Sequence, residues 1–165
     1  MRILPKIMKR ILVSGGNGFL GSCLVHRAIR EGAEVTVVDD LSTSQGMNVP
    51  SSVKFVNERA EYFKTDEKFD YVVHLAARPS PEYYVLHPID TLLSNSIGTR
   101  NKLEIVLNSG GVFMDASSSE VYGGGGVIPT PENYYGYVSP NGKRSCYDEG
   151  KRFSEALFLT CFWCL

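Results

Sequence analysis

A glycine-rich segment between a short apolar run and a helical pattern constrains this chain more than any other feature. Gly15-Gly16-Asn17-Gly18-Phe19-Leu20-Gly21 follows the apolar residues 11–13 and leads into an amphipathic stretch. Gly15 permits a tight turn, Gly18 allows a pyrophosphate to approach the backbone, and Gly21 allows the helix to pack against the strand. The phosphates would then meet free N–H groups at the positive end of the helix. The pattern predicts a dinucleotide-binding loop, with an unliganded strand-to-helix turn as the alternative.

Two acidic residues follow the next apolar run, at residues 35–38. A carboxylate at the end of a second strand accepts two hydrogen bonds from the adenosine ribose and repels a 2′-phosphate. Asp39 and Asp40 therefore favour NAD over NADP as the cofactor. The strand-end position favours Asp39 as the ligand, and a solvated acidic loop is the alternative.

Apolar runs and helical patterns alternate along the rest of the chain. The predicted strands are residues 11–13, 35–38, 53–56, 71–75 and 112–114. Helices are predicted over residues 19–30, from Pro88 to about Gly110, and from Tyr147 to about the end. In the second of these, the predicted core-facing stripe is Ile89, Leu92, Leu93, Ile97, Leu103 and Val106. This alternation predicts an α/β fold with a Rossmann-type, doubly wound parallel sheet.

The composition limits the classes of partner. The chain has 165 residues, 43% of them hydrophobic, and a net charge of −1. These values predict one globular domain and argue against nucleic acid or an anionic membrane surface as a partner. Four cysteines (Cys23, Cys146, Cys161 and Cys164) are too unevenly placed for a disulfide framework, so a cytoplasmic location is expected. Cys161 and Cys164 form a C-x-x-C pair in an apolar tail, where a redox or metal role is not favoured and no metal site is predicted.

Two further segments carry residue types suited to catalysis. Tyr147 and Lys151 are four residues apart, and such positions share one face of a helix. A nearby ammonium favours the phenolate, so Tyr147 is a candidate base near neutral pH, although this spacing also occurs by chance. The serine run 117–119 and Glu120 directly follow the fifth predicted strand, where a hydroxyl would line the ligand crevice. The alternatives are a polar turn for the serines and an ion pair with Arg144 or Arg78 for Glu120.

Several motifs in order resemble the extended short-chain dehydrogenase/reductase family, the NAD-dependent epimerases and dehydratases of nucleotide sugars. They are the glycine motif, Asp39, His74-Leu75-Ala76-Ala77, Asn95-Ser96-Ile97-Gly98-Thr99, Ser119-Glu120-Val121-Tyr122-Gly123 and Tyr147-x-x-x-Lys151. The resemblance covers residues 9–157 and implies roles for them. Implied NAD-binding residues are Gly15, Gly18, Phe19, Leu20, Gly21, Asp39, Asp40, Leu75, Ala76, Ala77, Asn95, Tyr147 and Lys151. The implied catalytic residues are Ser119, Glu120, Tyr147 and Lys151.

Within that family, the finer resemblance is to the UDP-glucuronate decarboxylases. Residues 144–152 look like their active-site helix start, and Ser119-Glu120 looks like their paired hydroxyl and carboxylate. The 4,6-dehydratases have an aspartate in place of Ser119, and the 4-epimerases usually lack the acid at Glu120. The resemblance implies that Tyr147, aided by Lys151, removes the proton of the sugar 4-hydroxyl as hydride passes to NAD. Loss of carbon dioxide and re-reduction would then give UDP-xylose. It also implies a homodimer formed through the Tyr147 helix and its neighbour.

The chain departs from the family pattern in two respects. Arg59 stands where the family has an aspartate that holds the adenine. The family's chains are also about twice as long, and their second half supplies the nucleotide-sugar pocket. Residues 1–165 are therefore expected to be an NAD-binding Rossmann domain without a substrate domain. The alternative is a non-catalytic NAD-binding or oligomerisation module.

Overall fold

The computed structural model describes residues 8–124 and 126–163, with side chains as far as residue 161. Cys164, and with it the C-x-x-C prediction, lies outside the described residues. Within them, the strands are β1 (Arg10–Ser14), β2 (Glu34–Asp39), β3 (Lys54–Asn57), β4 (Tyr71–His74) and β5 (Val112–Asp115). The helices are α1 (Phe19–Arg30), α2 (Pro81–Leu86), α3 (Pro88–Ser109) and α4 (Ser145–Trp163), and a 3₁₀ turn spans Ser119–Tyr122.

The strands form one parallel sheet in the order β3-β2-β1-β4-β5. The chain runs outward from β1 to β3 and then crosses back to place β4 on the other side of β1. Ligands of open parallel sheets bind where the strand order reverses, outside the carboxyl ends of the strands. The Rossmann-type fold predicted from the sequence is confirmed, and it places the expected crevice between the ends of β1 and β4.

Both faces of the sheet are covered by apolar packing. Leu12 and Val13 are fully buried, and because successive strand residues point to opposite faces, they enter two different clusters. The first cluster packs α3 against the sheet and contains Leu12, Val38, Phe63, Phe69, Val72, Leu103, Ile105 and Val106. The second packs α1 against the other face and contains Val13, Val25, Ala28, Val35, Val37 and Val49.

Helix α3 differs from its predicted burial. Leu103 is buried as expected, but Ile89, Leu92 and Ile97 are 72%, 41% and 42% exposed, so the predicted stripe is wrong in the first half of the helix. That half buries polar side chains instead, among them Thr91 and Thr99. Their hydroxyls donate to carbonyls one turn earlier, at 2.9 Å to the N-cap residue His87 and at 2.8 Å to Asn95. Because these polar groups are satisfied within α3, they can be buried at low cost.

Candidate functional site

An open groove runs along the carboxyl ends of β1 and β4. It consists of a large cleft with about 1850 Å³ of empty space and an adjoining cavity of about 510 Å³. The glycine loop borders both, at Gly15 and Gly18. Other predicted cofactor residues on the groove are Phe19, Leu20, Gly21, Asp39, Asp40, Leu75, Ala76, Ala77, Tyr147 and Lys151. The structure thus brings most of the predicted NAD-binding residues to one groove.

The glycine loop forms the floor of the groove, and two of its glycines leave no room for a side chain. Gly15 has a φ of 75°, and a Cβ there would lie 2.6 Å from the backbone nitrogen of Ala76. A Cβ at Gly21 would lie 2.1 Å from the carbonyl oxygen of Gly15. Helix α1 then begins with Gly18 at its N-cap, with no side chain bonded to its end. Its first N–H groups are therefore available to an anion in the groove.

The two acidic residues at the end of β2 have different surroundings. Each oxygen of Asp39 accepts one backbone hydrogen bond, from Asn17 and from Leu41, both at 2.9 Å. A carboxylate oxygen has two lone pairs, so each can accept a further bond from a ribose hydroxyl. Asp40 is paired with Arg78 at 2.9 Å and also accepts bonds from Ser42. Asp39 is therefore the better placed of the two to hold a ribose.

Arg59, the departure from the family pattern, is held by ion pairs. Its guanidinium bonds Asp90 at 2.6 Å and also pairs with Glu61. The hydrogen bond to Asp90 is the main cause of a raised Arg59 pKa. The neighbouring residues Glu58, Ala60 and Glu61 line the smaller cavity. The smaller cavity is thus lined by the carboxylates of Asp39, Asp40, Glu58 and Glu61 together with the guanidinium of Arg78.

Tyr147 and Lys151 lie on α4 and face the large cleft together with Ala116 and Ser117. Tyr147 and Lys151 are only 6% and 2% exposed. The Lys151 ammonium donates to the carbonyl of Ala116 at 2.5 Å. Burial lowers the pKa of Lys151, while the carboxylates of Asp115 and Glu155 oppose that shift. The ring of Tyr147 stacks on the buried Tyr84, with centroids 5.4 Å apart and planes inclined by 11°.

The predicted pair Ser119 and Glu120 lies in the 3₁₀ turn, and neither residue lines the groove. Ser119 is exposed, and Glu120 is ion-paired with Arg144, the alternative that the sequence left open. Ser117 is the serine of the run that borders the cleft, and its hydroxyl bonds Glu155. Sequence reasoning located this run but did not select Ser117, because residue type does not show where the strand ends. The catalytic roles of Ser119 and Glu120 remain predictions.

Two buried polar residues support the groove from below. Asn95 is fully buried under α4, where its side-chain nitrogen donates to the Thr91 backbone carbonyl at 2.9 Å and its own backbone carbonyl accepts from the Ser154 hydroxyl at 2.5 Å. Asn95 therefore does not border the groove, and its predicted cofactor role remains a prediction. His74 bonds Ser14 through Nδ1 at 2.6 Å and the Ser94 carbonyl through Nε2 at 3.1 Å. The carbonyl can only accept, so Nε2 carries the proton and Nδ1 accepts from the Ser14 hydroxyl. Burial, aided by Lys102 and Lys151, lowers the His74 pKa to about 3.

The groove fits a dinucleotide such as NAD. It offers the first N–H groups of α1, which no side chain caps, a fixed carboxylate at Asp39 and a floor at Gly15 that admits no Cβ. The described residues contain no cluster of His, Cys, Asp or Glu suited to a metal ion. Among the helices of residues 8–124 and 126–163, none is long and apolar enough to cross a membrane.

The comparisons with known proteins agree with this geometry. The model of the NAD dependent epimerase/dehydratase family matches residues 11–161. UDP-glucuronic acid decarboxylase 1 of Danio rerio is 42% identical over 92% of this chain and 37% of its own length. The enzyme of that name from Arabidopsis thaliana is also 42% identical, over 91% of this chain and 35% of its own. A solved UDP-galactose 4-epimerase superposes with a TM-score of 0.79 at 36% identity, over 92% of this chain and 50% of that chain. The chain spans little more than a third of these curated relatives and half of that structure.

Proposed function

The chain belongs to the NAD-dependent epimerase/dehydratase family, and from that premise we propose that it is the NAD-binding part of a nucleotide-sugar-modifying enzyme of the UDP-glucuronate decarboxylase type. The observation that carries the proposal is that Tyr147 and Lys151 border the same open cleft as the glycine loop. Oxidation and re-reduction of a sugar hydroxyl need three groups on one cleft: a tyrosine, an ammonium and a loop that binds the dinucleotide.

NAD, when bound, supplies the chemistry of accepting and returning a hydride. At the end of the groove formed by the start of α1 and by Asp39, the chain's own contribution is to bind the dinucleotide and to select NAD over NADP. The N–H groups at the start of α1 would hold the pyrophosphate, and Asp39 would accept from the adenosine ribose. Asp40 and Glu61, which line the same cavity, are ion-paired with Arg78 and Arg59, so the selection against a 2′-phosphate would rest on Asp39.

At the other end of the groove, the residues act on protons. Tyr147 would take the proton of the sugar 4-hydroxyl, and the adjacent Lys151 ammonium stabilises the negative charge that the phenolate carries. Ser117 borders the same cleft, and because its hydroxyl proton is donated to Glu155, its oxygen is available there to accept a hydrogen bond. Oxidation at C4 puts a carbonyl β to the C5 carboxylate of a glucuronate, which makes the loss of carbon dioxide easy.

The decarboxylase is preferred over its relatives within the family. Support comes from the 42% identity to UDP-glucuronic acid decarboxylases and from the Ser119-Glu120 pair that resembles theirs. The ion pair of Glu120 with Arg144 fixes that carboxylate beside the start of the Tyr147 helix. A 4-epimerase or 4,6-dehydratase is the alternative within the family, and a non-catalytic NAD-binding module is the alternative outside catalysis.

We also propose a homodimer formed through α3 and α4. The two helices share a shallow groove on their outer side, lined by Leu92, Ser96, Glu149, Arg152, Phe153 and Ala156. Leu92 and Phe153 in this groove are each more than 40% exposed. An apolar surface of this kind is typical of a face that a partner covers. Sedimentation velocity tests the proposal: a dimer that Phe153→Asp converts to monomer supports it, and a wild-type monomer contradicts it.

The function is tested by incubating the purified chain with NAD and UDP-glucuronate and measuring carbon dioxide and UDP-xylose. Turnover that Tyr147→Phe abolishes is the expected result. UDP-glucose and UDP-galactose, followed by chromatography, test for an epimerase, and a 4-keto-6-deoxy product would indicate a dehydratase. Calorimetry with NAD separates the remaining outcomes. NAD binding without turnover of any sugar indicates the non-catalytic module, and no NAD binding contradicts the cofactor assignment.

A further inference from the structure

A carboxylate without a hydrogen-bond partner is buried beside the catalytic helix. Asp115 is the last residue of β5 and lies in register with His74 on β4. Both of its side-chain oxygens are buried, and within the described residues neither has a hydrogen-bond partner. A buried, unpartnered carboxylate is costly unless a positive charge lies near it. The arrangement therefore needs a compensating cation.

Lys151 supplies a positive charge close to Asp115. Its ammonium bonds the carbonyl of Ala116, the residue that directly follows Asp115. The pKa of Asp115 is raised by burial, and Lys151 is the main influence that opposes this rise. In turn, burial lowers the pKa of Lys151, and the carboxylate of Asp115 is the largest influence that raises it. Each group therefore favours the charged form of the other.

The other charged groups around Lys151 do not replace Asp115. Glu155, one turn further along α4, also favours the ammonium, but its carboxylate is bonded to the hydroxyl of Ser117. On β4, His74 stays neutral at physiological pH because its pKa is about 3. From α3, Lys102 contributes a second positive charge to this region. The carboxylate of Asp115 is thus the larger of the two acidic influences that favour the Lys151 ammonium.

We propose that Asp115 is a positioning residue of the site, whose buried carboxylate at the end of β5 serves as the counter-ion of Lys151 and so acts on Tyr147 through that lysine. The role in turnover rests on the function proposed above, whereas the pairing of the two charges does not. The carboxylate keeps the lysine protonated although its side chain is buried. A protonated Lys151 in turn stabilises the phenolate of Tyr147 during proton transfer.

The direct test measures the pKa of Lys151 by NMR in protein labelled at the lysine side chains, with the signal assigned by Lys151→Met. Asp115→Asn is expected to lower that pKa by about one unit. The matched control is Asp148→Asn, which removes a partly buried carboxylate from the same helix that does not act on Lys151. It is expected to leave the Lys151 pKa in place. Equal values in wild type and Asp115→Asn, or equal shifts in both variants, overturn the proposal.

Two further measurements keep the outcome interpretable. Circular dichroism tests whether Asp115→Asn is folded. If that variant is unfolded, Asp115→Leu, which fills the site with an apolar group, is measured instead. In the pH profile of turnover, Asp115→Asn is expected to move the alkaline limb to lower pH by the same interval as the Lys151 pKa. A limb that does not move overturns the action on Tyr147. If the wild type shows no turnover, the proposed function fails while the NMR result still decides the pairing of the charges.

Discussion

Replacing Lys102 by methionine is predicted to change how the stability of the fold depends on pH. Lys102 is fully buried on α3, where its ammonium donates to the carbonyl of Ala60 at 2.8 Å and lies 5.1 Å from the ring centre of Phe63. Burial lowers its pKa from 10.5 to about 8, opposed by Glu58 and Glu61. Methionine has a similar length and no charge, so it removes the titration while filling most of the space.

The sign and size follow from linkage. Between pH 8 and 10.5 the unfolded chain binds the Lys102 proton and the folded chain has released it, so the stability rises with pH across this window. With each pKa unit equal to about 1.4 kcal/mol, Lys102 adds about 2.5 kcal/mol between about pH 7 and pH 10. Other groups titrate in the same range, but they are common to wild type and variant. The difference between the two proteins therefore isolates Lys102.

Urea unfolding followed by circular dichroism at the two pH values provides the measurement. The free energy of unfolding of the wild type, relative to Lys102→Met, is expected to rise by about 2.5 kcal/mol from the lower to the higher pH. Lys64→Met, at an exposed lysine, is the control and should follow the wild type at both values. Parallel pH dependences for wild type and Lys102→Met would refute the reasoning, because they would show that the buried ammonium is not destabilised.

Three further predictions concern the groove. As the pH falls from 6.5 towards 3, the wild type should lose stability relative to His74→Asn. The reason is that the folded-state pKa of His74 is lowered to about 3, so the unfolded chain takes up the proton first. Urea unfolding measured at a series of acidic pH values checks this. Gly21→Ala, which brings a Cβ to 2.1 Å from the Gly15 carbonyl, should abolish NAD binding in calorimetry, whereas Gly46→Ala, in open space, should not. Asp39→Asn should weaken NAD binding by about tenfold, which corresponds to the loss of roughly one charge-assisted hydrogen bond. It should also reduce the preference for NAD over NADP, and calorimetric titrations with both cofactors measure the two affinities.

The fold could be predicted because its signals are local. The glycine motif, the apolar runs and Pro88 and Gly110 at the ends of α3 each fix a backbone conformation within a few residues, and the parallel sheet follows from their alternation. The buried face of α3 could not be predicted, because burying Thr91 and Thr99 depends on hydrogen bonds within the helix rather than on hydrophobicity. A periodic apolar pattern shows one face of a helix but not which face meets the sheet.

The candidate site was partly predictable for a related reason. Helical spacing alone places Tyr147 and Lys151 on one face of α4, and both border the cleft. The serine run offers three similar hydroxyls, and the choice among them depends on where β5 ends and the 3₁₀ turn begins. Asp115 gave no sequence signal, because its partner Lys151 is far along the chain and the contact exists only in the folded state.

The hydrogen bonds that join Ser14, His74 and Ser94 also bear on the thermodynamics of cofactor binding. They connect the ends of β1 and β4 to α3 directly beneath the groove, with all three residues buried. The backbone that would receive the dinucleotide is therefore already immobilised before a ligand arrives. The conformational entropy lost on binding then falls mainly on exposed side chains such as Phe19 and Leu20, so little of the binding free energy is consumed in organising the floor of the site.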